Sequence, residues 1–154
     1  MAISVTIDRK AWKETLGLDR KARAAARAAL AVAGLDARRC DLSIAFADDA
    51  AVACLNRRFR SMDKPTNVLS FPAAAGPWGG RRFLGDIVLA AGVVAAEAHG
   101  QGKKLSRHVS HLVVHAVLHL LGHDHHKSAD ARKMEQMEIR ALAMLGIADP
   151  YHGN

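Results

Sequence analysis

Apolar and polar residues alternate from Ile3 to Asp8 and again from Asp41 to Phe46. A period of two is the mark of strands with one buried face, so both stretches are predicted as strands. Between them, Asp19 is placed to cap a helix that runs through the Ala/Arg-rich stretch to Gly34, a natural stop. The arginines and Leu30 keep that helix amphipathic despite its alanine content. Asp48 and Asp49 open a second helix carrying Val52, Leu55 and Phe59 at helical spacing, and Pro65 closes the region. Asn67 to Phe71 reads as a short apolar strand. The glycine-rich stretch AAAGPWGGRR reads as a loop, and Phe83 to Ala90 is the most strand-like segment of the chain. Helices are predicted for 91–100, 105–121 and 128–145, the last capped by Ser128 and ended by Gly146. No repeat or linker divides the chain, so residues 1–154 form one domain, with a loose tail after Pro150.

The helix at 105–121 is unusual. Val109, Leu112, Val113, Ala116, Val117, Leu120 and Leu121 follow the i, i+3, i+4, i+7 spacing, and Val114 and Leu118 fill another face. A helix apolar nearly all round is expected to be buried. Yet the segment HAVLHLLGHDHH, residues 115–126, holds five histidines. His115 and His119 lie one turn apart on one side, and the turn at Gly122 can bring His125 back to the same point. Three neutral imidazoles meeting at one centre suit zinc, one ion per chain. A catalytic zinc keeps a fourth position open for water, whose pKa then falls to about 7. The plainer alternative is a set of core histidines, each with one hydrogen bond; ligation would remove the cost of burying an imidazole pair without partners. His108 and His111 continue the stripe one and two turns earlier, too far to share the ion. His123 and His126 are expected to face solvent, and Asp124 is placed to orient a ligand. The zincin motif HExxH would need a glutamate general base where this chain has Ala116, which argues against a peptidase.

Composition narrows the setting. The 154 residues are half apolar and carry a net charge of +7. No apolar run is long enough for a membrane span, and the N-terminus has no signal pattern. Cys40 and Cys54 have no metal or redox spacing and are expected to be reduced thiols of a cytoplasmic protein. The basic excess fits either an ordinary soluble surface or a polyanionic partner. Arg57, Arg58, Arg60, Arg81, Arg82, Lys103, Lys104 and Arg107 all lie nearer the histidines in sequence than the arginines of the first helix do. Only four Phe, two Trp and one Tyr are present, so base stacking is scarce and phosphate contact should dominate any RNA interface.

Three ordered blocks carry a family resemblance. HAVLHLLGHDH resembles the His-Gly-x-Leu-His-Leu-x-Gly-Tyr-Asp-His signature of the YbeY endoribonucleases, the bacterial rRNA maturation factors. LNRRFRSMDKPTNVLSFP (Leu55 to Pro72) and LGDIVLA (Leu84 to Ala90) are similar to two further blocks of that family. The chain departs from the signature at Ala116, usually Gly, and at His123, usually Tyr or Phe. The resemblance, from about Ala47 to Gly146, implies a single-domain α+β fold: a small mixed β-sheet packed against about five helices, with a zincin-like metal-site helix. It implies a zinc-dependent endoribonuclease acting on single-stranded RNA, in small-subunit rRNA 3′-end maturation and ribosome quality control. His115, His119 and His125 carry over as zinc ligands, and Arg60 as the basic residue near the cleft. A ribosomal protein or a ribosome-associated GTPase is the implied protein partner; DNA is not expected.

Arg60 has a plainer alternative, a helix-end pair with Asp63. Asp63 and Asp86 are read as structural, through a turn or cap and a strand-end hydrogen bond, while Asn56 fits either role. Other readings of the whole are an assembly factor with a mainly structural zinc and a metal-storage module binding several ions. If phosphate contact leads, affinity for single-stranded RNA should fall steeply as salt rises, because Lys and Arg displace condensed counterions. A titration in which affinity stays flat over a several-fold rise in salt would contradict a phosphate-led interface.

Overall fold

The computed structural model describes residues 2–13, 16–60, 66–74, 82–124 and 127–151, with Ala2 and Arg60 described by backbone only. Strands β1 (Ala2–Ile7), β2 (Cys40–Ala47), β3 (Val68–Pro72) and β4 (Arg82–Ala90) form one sheet in the order β1-β2-β4-β3. β1, β2 and β4 are parallel, and β3 runs antiparallel along β4. The helices are α1 (Leu18–Val32), α2 (Asp49–Arg60), α3 (Ala91–Gly100), α4 (Leu105–Leu120) and α5 (Ser128–Met144). This is the expected α+β arrangement of a mixed sheet and five helices.

Strand alternation divides the sheet into two faces. Cys40, Leu42, Ile44 and Phe46 of β2 point into the main core, together with Leu84, Ile87 and Leu89 of β4; α1 and α4 cover that face and α5 packs on those two helices. A smaller cluster of Val52, Leu69, Val88 and Ala90 joins α2 to the opposite face. The alanines of α1 have a packing role: Ala22, Ala25, Ala26, Ala28 and Ala29 are all buried, and their small side chains let α4 and α5 lie close. Trp12 closes the end of β1, its indole N–H donating to the Ala47 carbonyl at 2.8 Å and its ring edge-on to Phe46.

Several local expectations need correction. Asp19 is not the cap of α1; Gly17 holds that position in a left-handed conformation, and Asp19 pairs instead with Arg23 one turn on. Ser128 is the first residue of α5 and Lys127 precedes it without a side-chain cap. Asp48 does cap α2, its carboxylate accepting from Ala51 N–H at 2.7 Å, while Asp49 reaches across to the first amides of α3 at Gly92 and Val93. Phe59 lies on the surface rather than in the core, edge-on to Phe71. Asp86 sits within β4, not at a strand end, and accepts a hydrogen bond from Ser43 of β2. Cys40 is buried and Cys54 is exposed, and neither is in a disulfide.

The glycine of the LGDIVLA block answers a close approach. Opposite Asp41 and Leu42 the register of β4 slips from Phe83 to Gly85, so Leu84 is an extra, bulged residue. Gly85 has φ +139°, and a Cβ there would stand 2.2 Å from the Phe71 carbonyl oxygen. Gly85→Ala is therefore expected to cost about 1–3 kcal/mol, the usual scale of a forced backbone outlier. Chemical denaturation of the variant checks this, and an unchanged midpoint and slope would contradict it.

Candidate functional site

The site is built on the last two turns of α4. Val109, Val113, Val114, Val117 and Leu118 are fully buried, so the helix is clamped by the core on most of its circumference. The histidine strip falls where packing is incomplete: His111, His115 and His119 are each only partly buried. At the end of the helix, Gly122 turns left-handed at φ 95°, its N–H donating to the His119 carbonyl and His123 N–H to that of Leu118.

His115 and His119 meet edge to face, their ring centroids 4.6 Å apart, and their Nε2 atoms stand 3.1 Å from each other. Both rings open into a cleft of about 420 Å³ lined also by Asn56, Thr66, Asn67, Val68, Leu69, Ser70 and Pro72. The cleft thus joins the histidine motif to the TNVLSFP segment of β3 and to α2. Asn56, left open by the sequence, is almost wholly buried at this wall. Arg60 is the last residue of α2, one turn beyond Asn56; its side chain, Asp63 and His125 lie outside what is described. Among the described residues no group of three His, Cys, Asp or Glu side chains is arranged to hold a metal ion, so the pair His115 and His119 is the part of the expected ligand set on view.

Behind the pair stands Glu138 of α5, fully buried. Its Oε1 lies 2.7 Å from His111 Nε2, 3.3 Å from His115 Nδ1 and 2.8 Å from the Tyr151 hydroxyl that donates to it. Burial alone would raise the Glu138 carboxyl, but hydrogen bonds from His111 and His115, and their charge, outweigh it and hold the group down to about 2. Burial and the negative Glu138 push the Tyr151 hydroxyl well above the usual phenol range. The segment after Pro150 is therefore not loose throughout: Tyr151 folds back onto α4 and α5.

A second cavity of about 400 Å³ shares Asn67, Val68 and His115 with the first. Asn67 is fixed between the two, donating its amide to Glu97 at 3.0 Å and accepting from Val68 N–H at 2.7 Å. His108 also turns to Glu97, at 2.9 Å, so its ring serves this second wall. Lys103 lines the same cavity. Lys104 and Arg107 do not: they face a groove against Lys21 of α1, because the start of α4 points away from the cleft. His123 lines a shallow pocket with Ala33, Met137 and Arg140, away from His115 and His119. His126 lies outside the described residues.

Sequence reasoning missed Glu138 and Tyr151. A signal for the first was present. Met134, Met137, Ala141 and Leu142 form the buried stripe of α5, and Glu138 sits within it at core spacing. A carboxylate at a core position of an amphipathic helix asks for a buried donor, and the histidine strip of α4 offers one.

The family model described as "Endoribonuclease YbeY" matches residues 6–146 of the chain. A protein of that name from Paramagnetospirillum magneticum is 49% identical over 156 residues, covering 97% of this chain and 94% of the relative. Another, from Parvibaculum lavamentivorans, is 46% identical over 158 residues, covering 97% and 85%. The solution structure of TM1509 from Thermotoga maritima is similar in fold, with a TM-score of 0.58 at 20% sequence identity over 93% of this chain and 91% of that one.

Proposed function

Because the chain belongs to the endoribonuclease YbeY family, we propose that it is a zinc-dependent, single-strand-specific endoribonuclease that matures the 3′ end of small-subunit rRNA and serves ribosome quality control. The observation that carries the reading is the convergence of His115 and His119 Nε2, 3.1 Å apart in a polar cleft. Two nitrogen ligands at about 2.0–2.1 Å on a tetrahedral zinc stand about 3.4 Å from each other. The donor type and the spacing both suit that ion, and His125 completes the set in this reading. Zinc held there would supply Lewis acidity and a nucleophile at neutral pH.

The chain's own groups do the remaining work. Asn56 and Thr66 line the cleft with polar groups suited to ribose and phosphate. Asn67, held by Glu97 and Val68, keeps the wall rigid, so a bound strand meets a fixed surface. A cleft of about 420 Å³ is of nucleotide size, which favours a single strand over a duplex. Arg60, one turn past Asn56, is the residue assigned to charge developing on phosphate, through a planar two-point fork. The substrate is single-stranded rRNA in the cytoplasm, with a ribosomal protein or ribosome-associated GTPase as guide. Among the described residues no helix is long and apolar enough to cross a membrane.

Cleavage of single-stranded rRNA and zinc content, measured on the same samples, test the reading. His119→Ala should lose both, whereas His108→Ala should keep its zinc because that ring is turned to Glu97. A zinc-loaded wild-type protein that binds rRNA without cutting it would shift the assignment to an assembly factor with a structural ion. Arg60→Ala should keep zinc and fold and lose ~10²–10³ in single-turnover rate. Arg60→Lys should recover part of that loss, because an ammonium keeps the charge without the fork. If Arg60 only pairs at a helix end, its removal should cost about 0–1 kcal/mol of stability and leave turnover near normal.

A further inference from the structure

Glu138 is a carboxylate in a core position, fully buried on the stripe that also carries Met134, Ala141 and Leu142. Burying a carboxylate is costly unless it is well supplied with donors. Here the supply is uneven. Oε1 takes His111 at 2.7 Å, Tyr151 at 2.8 Å and His115 at 3.3 Å, while Oε2 has no partner among the described residues. Three groups crowd one oxygen, and two of them do not reach the cleft wall at His119. His111 and Tyr151 stand edge-on, centroids 5.6 Å apart, so they also brace each other. Tyr151 arrives from beyond α5, in a turn where its N–H donates to the Asp149 carboxylate at 2.8 Å.

His115 lies between this carboxylate and the cleft. Its Nδ1 faces Glu138, and its Nε2, across the ring, faces His119 Nε2. A neutral imidazole has one N–H. A fixed acceptor at Nδ1 keeps the proton there and leaves the Nε2 lone pair toward the cleft. We propose that Glu138, held in place by His111 and by Tyr151 of the C-terminal turn, is the positioning residue that sets the ring plane and tautomer of His115, and so sets how tightly the cleft holds its metal. This rests on the reading of His115 as a metal ligand. A purely structural Glu138 would govern the stability of the metal-free fold and leave metal affinity alone.

The test is zinc affinity of the full-length protein, by competition with a chelating indicator, beside melting of the metal-free protein. The variants are Glu138→Gln, Tyr151→Phe and His115→Ala. Glu138→Gln keeps the shape and an acceptor oxygen but loses the charge. It should weaken zinc binding about 10–100-fold, the usual effect of losing a ligand's hydrogen-bonded carboxylate. Tyr151→Phe removes one hydroxyl and should weaken binding by a smaller factor. Cobalt substituted for zinc should show a shifted d–d spectrum in both variants. Wild-type zinc affinity and an unchanged cobalt spectrum in folded Glu138→Gln would overturn the proposal. Should that variant fail to fold, wild-type values in Tyr151→Phe would overturn it instead. Unchanged affinity in His115→Ala would remove the ligand reading itself, and the proposal with it. Loss in His115→Ala together with full retention in Glu138→Gln would leave the ligand standing and sink only the positioning role.

Discussion

In the last two turns of α4, the carbonyl of Ala116 accepts a hydrogen bond from Ser70 Oγ on β3 at 3.3 Å. The rest of the site depends on that closeness. Helix and strand meet without a bulky side chain between them: Ala116 is fully buried, and its neighbour in sequence is His115. On the far side the alanines of α1 let the same helix settle into the core. Each of Val109, Val113, Val114, Val117 and Leu118 is fully buried, which contributes about 1.5–3 kcal/mol per side chain. A helix held so firmly has little freedom to roll. The strip that carries the histidines is therefore fixed in direction, and His115 and His119 open into the cleft against β3.

That strip is supported from two sides. Toward β3 it faces polar groups of the TNVLSFP segment, with Asn67 tied to Glu97 so that it cannot swing. Toward α5 it meets Glu138, a carboxylate that burial would keep neutral and that its histidine neighbours hold ionised. A carboxylate acceptor at Nδ1 on one side of His115 and an open cleft on the other polarise the imidazole along the line between them. Rigid walls and a polarised imidazole are the conditions under which fixed groups act on developing charge without first reorganising.

Much of this was legible in the chain, for physical reasons that can be named. Period-two patterning marked β1 and β2, and the apolar wrap of α4 marked a buried helix whose histidines had to face something other than solvent. Elements with a strong period announce themselves because burial repeats along them. What stayed hidden depends on distant partners. Glu138 stands at core spacing in α5, but the groups that satisfy it lie 13, 23 and 27 residues away and meet it only when α5 is laid against α4. Tyr151 follows a proline near the chain end, where local signals favour fraying, and its docking depends on the same carboxylate. Lys104 and Arg107 sit close to the histidines in sequence, yet the direction of α4 carries them to the far groove. Asp19 and Ser128 are good capping residues standing two places and one place past the caps of their helices. In the first case Gly17, with φ 72°, takes the turn that a side chain would otherwise stabilise.

The central claim is that His115 and His119 face each other in order to hold zinc through Nε2. X-ray absorption at the zinc edge, on the protein loaded with one equivalent, tests that most directly. The account predicts a four-coordinate ion with three imidazole nitrogens at about 2.0 Å and one light oxygen donor. Sulfur scatterers near 2.3 Å would place the ion on Cys40 or Cys54. That result, or a shell dominated by water, would contradict the assignment of this cleft as a metal centre.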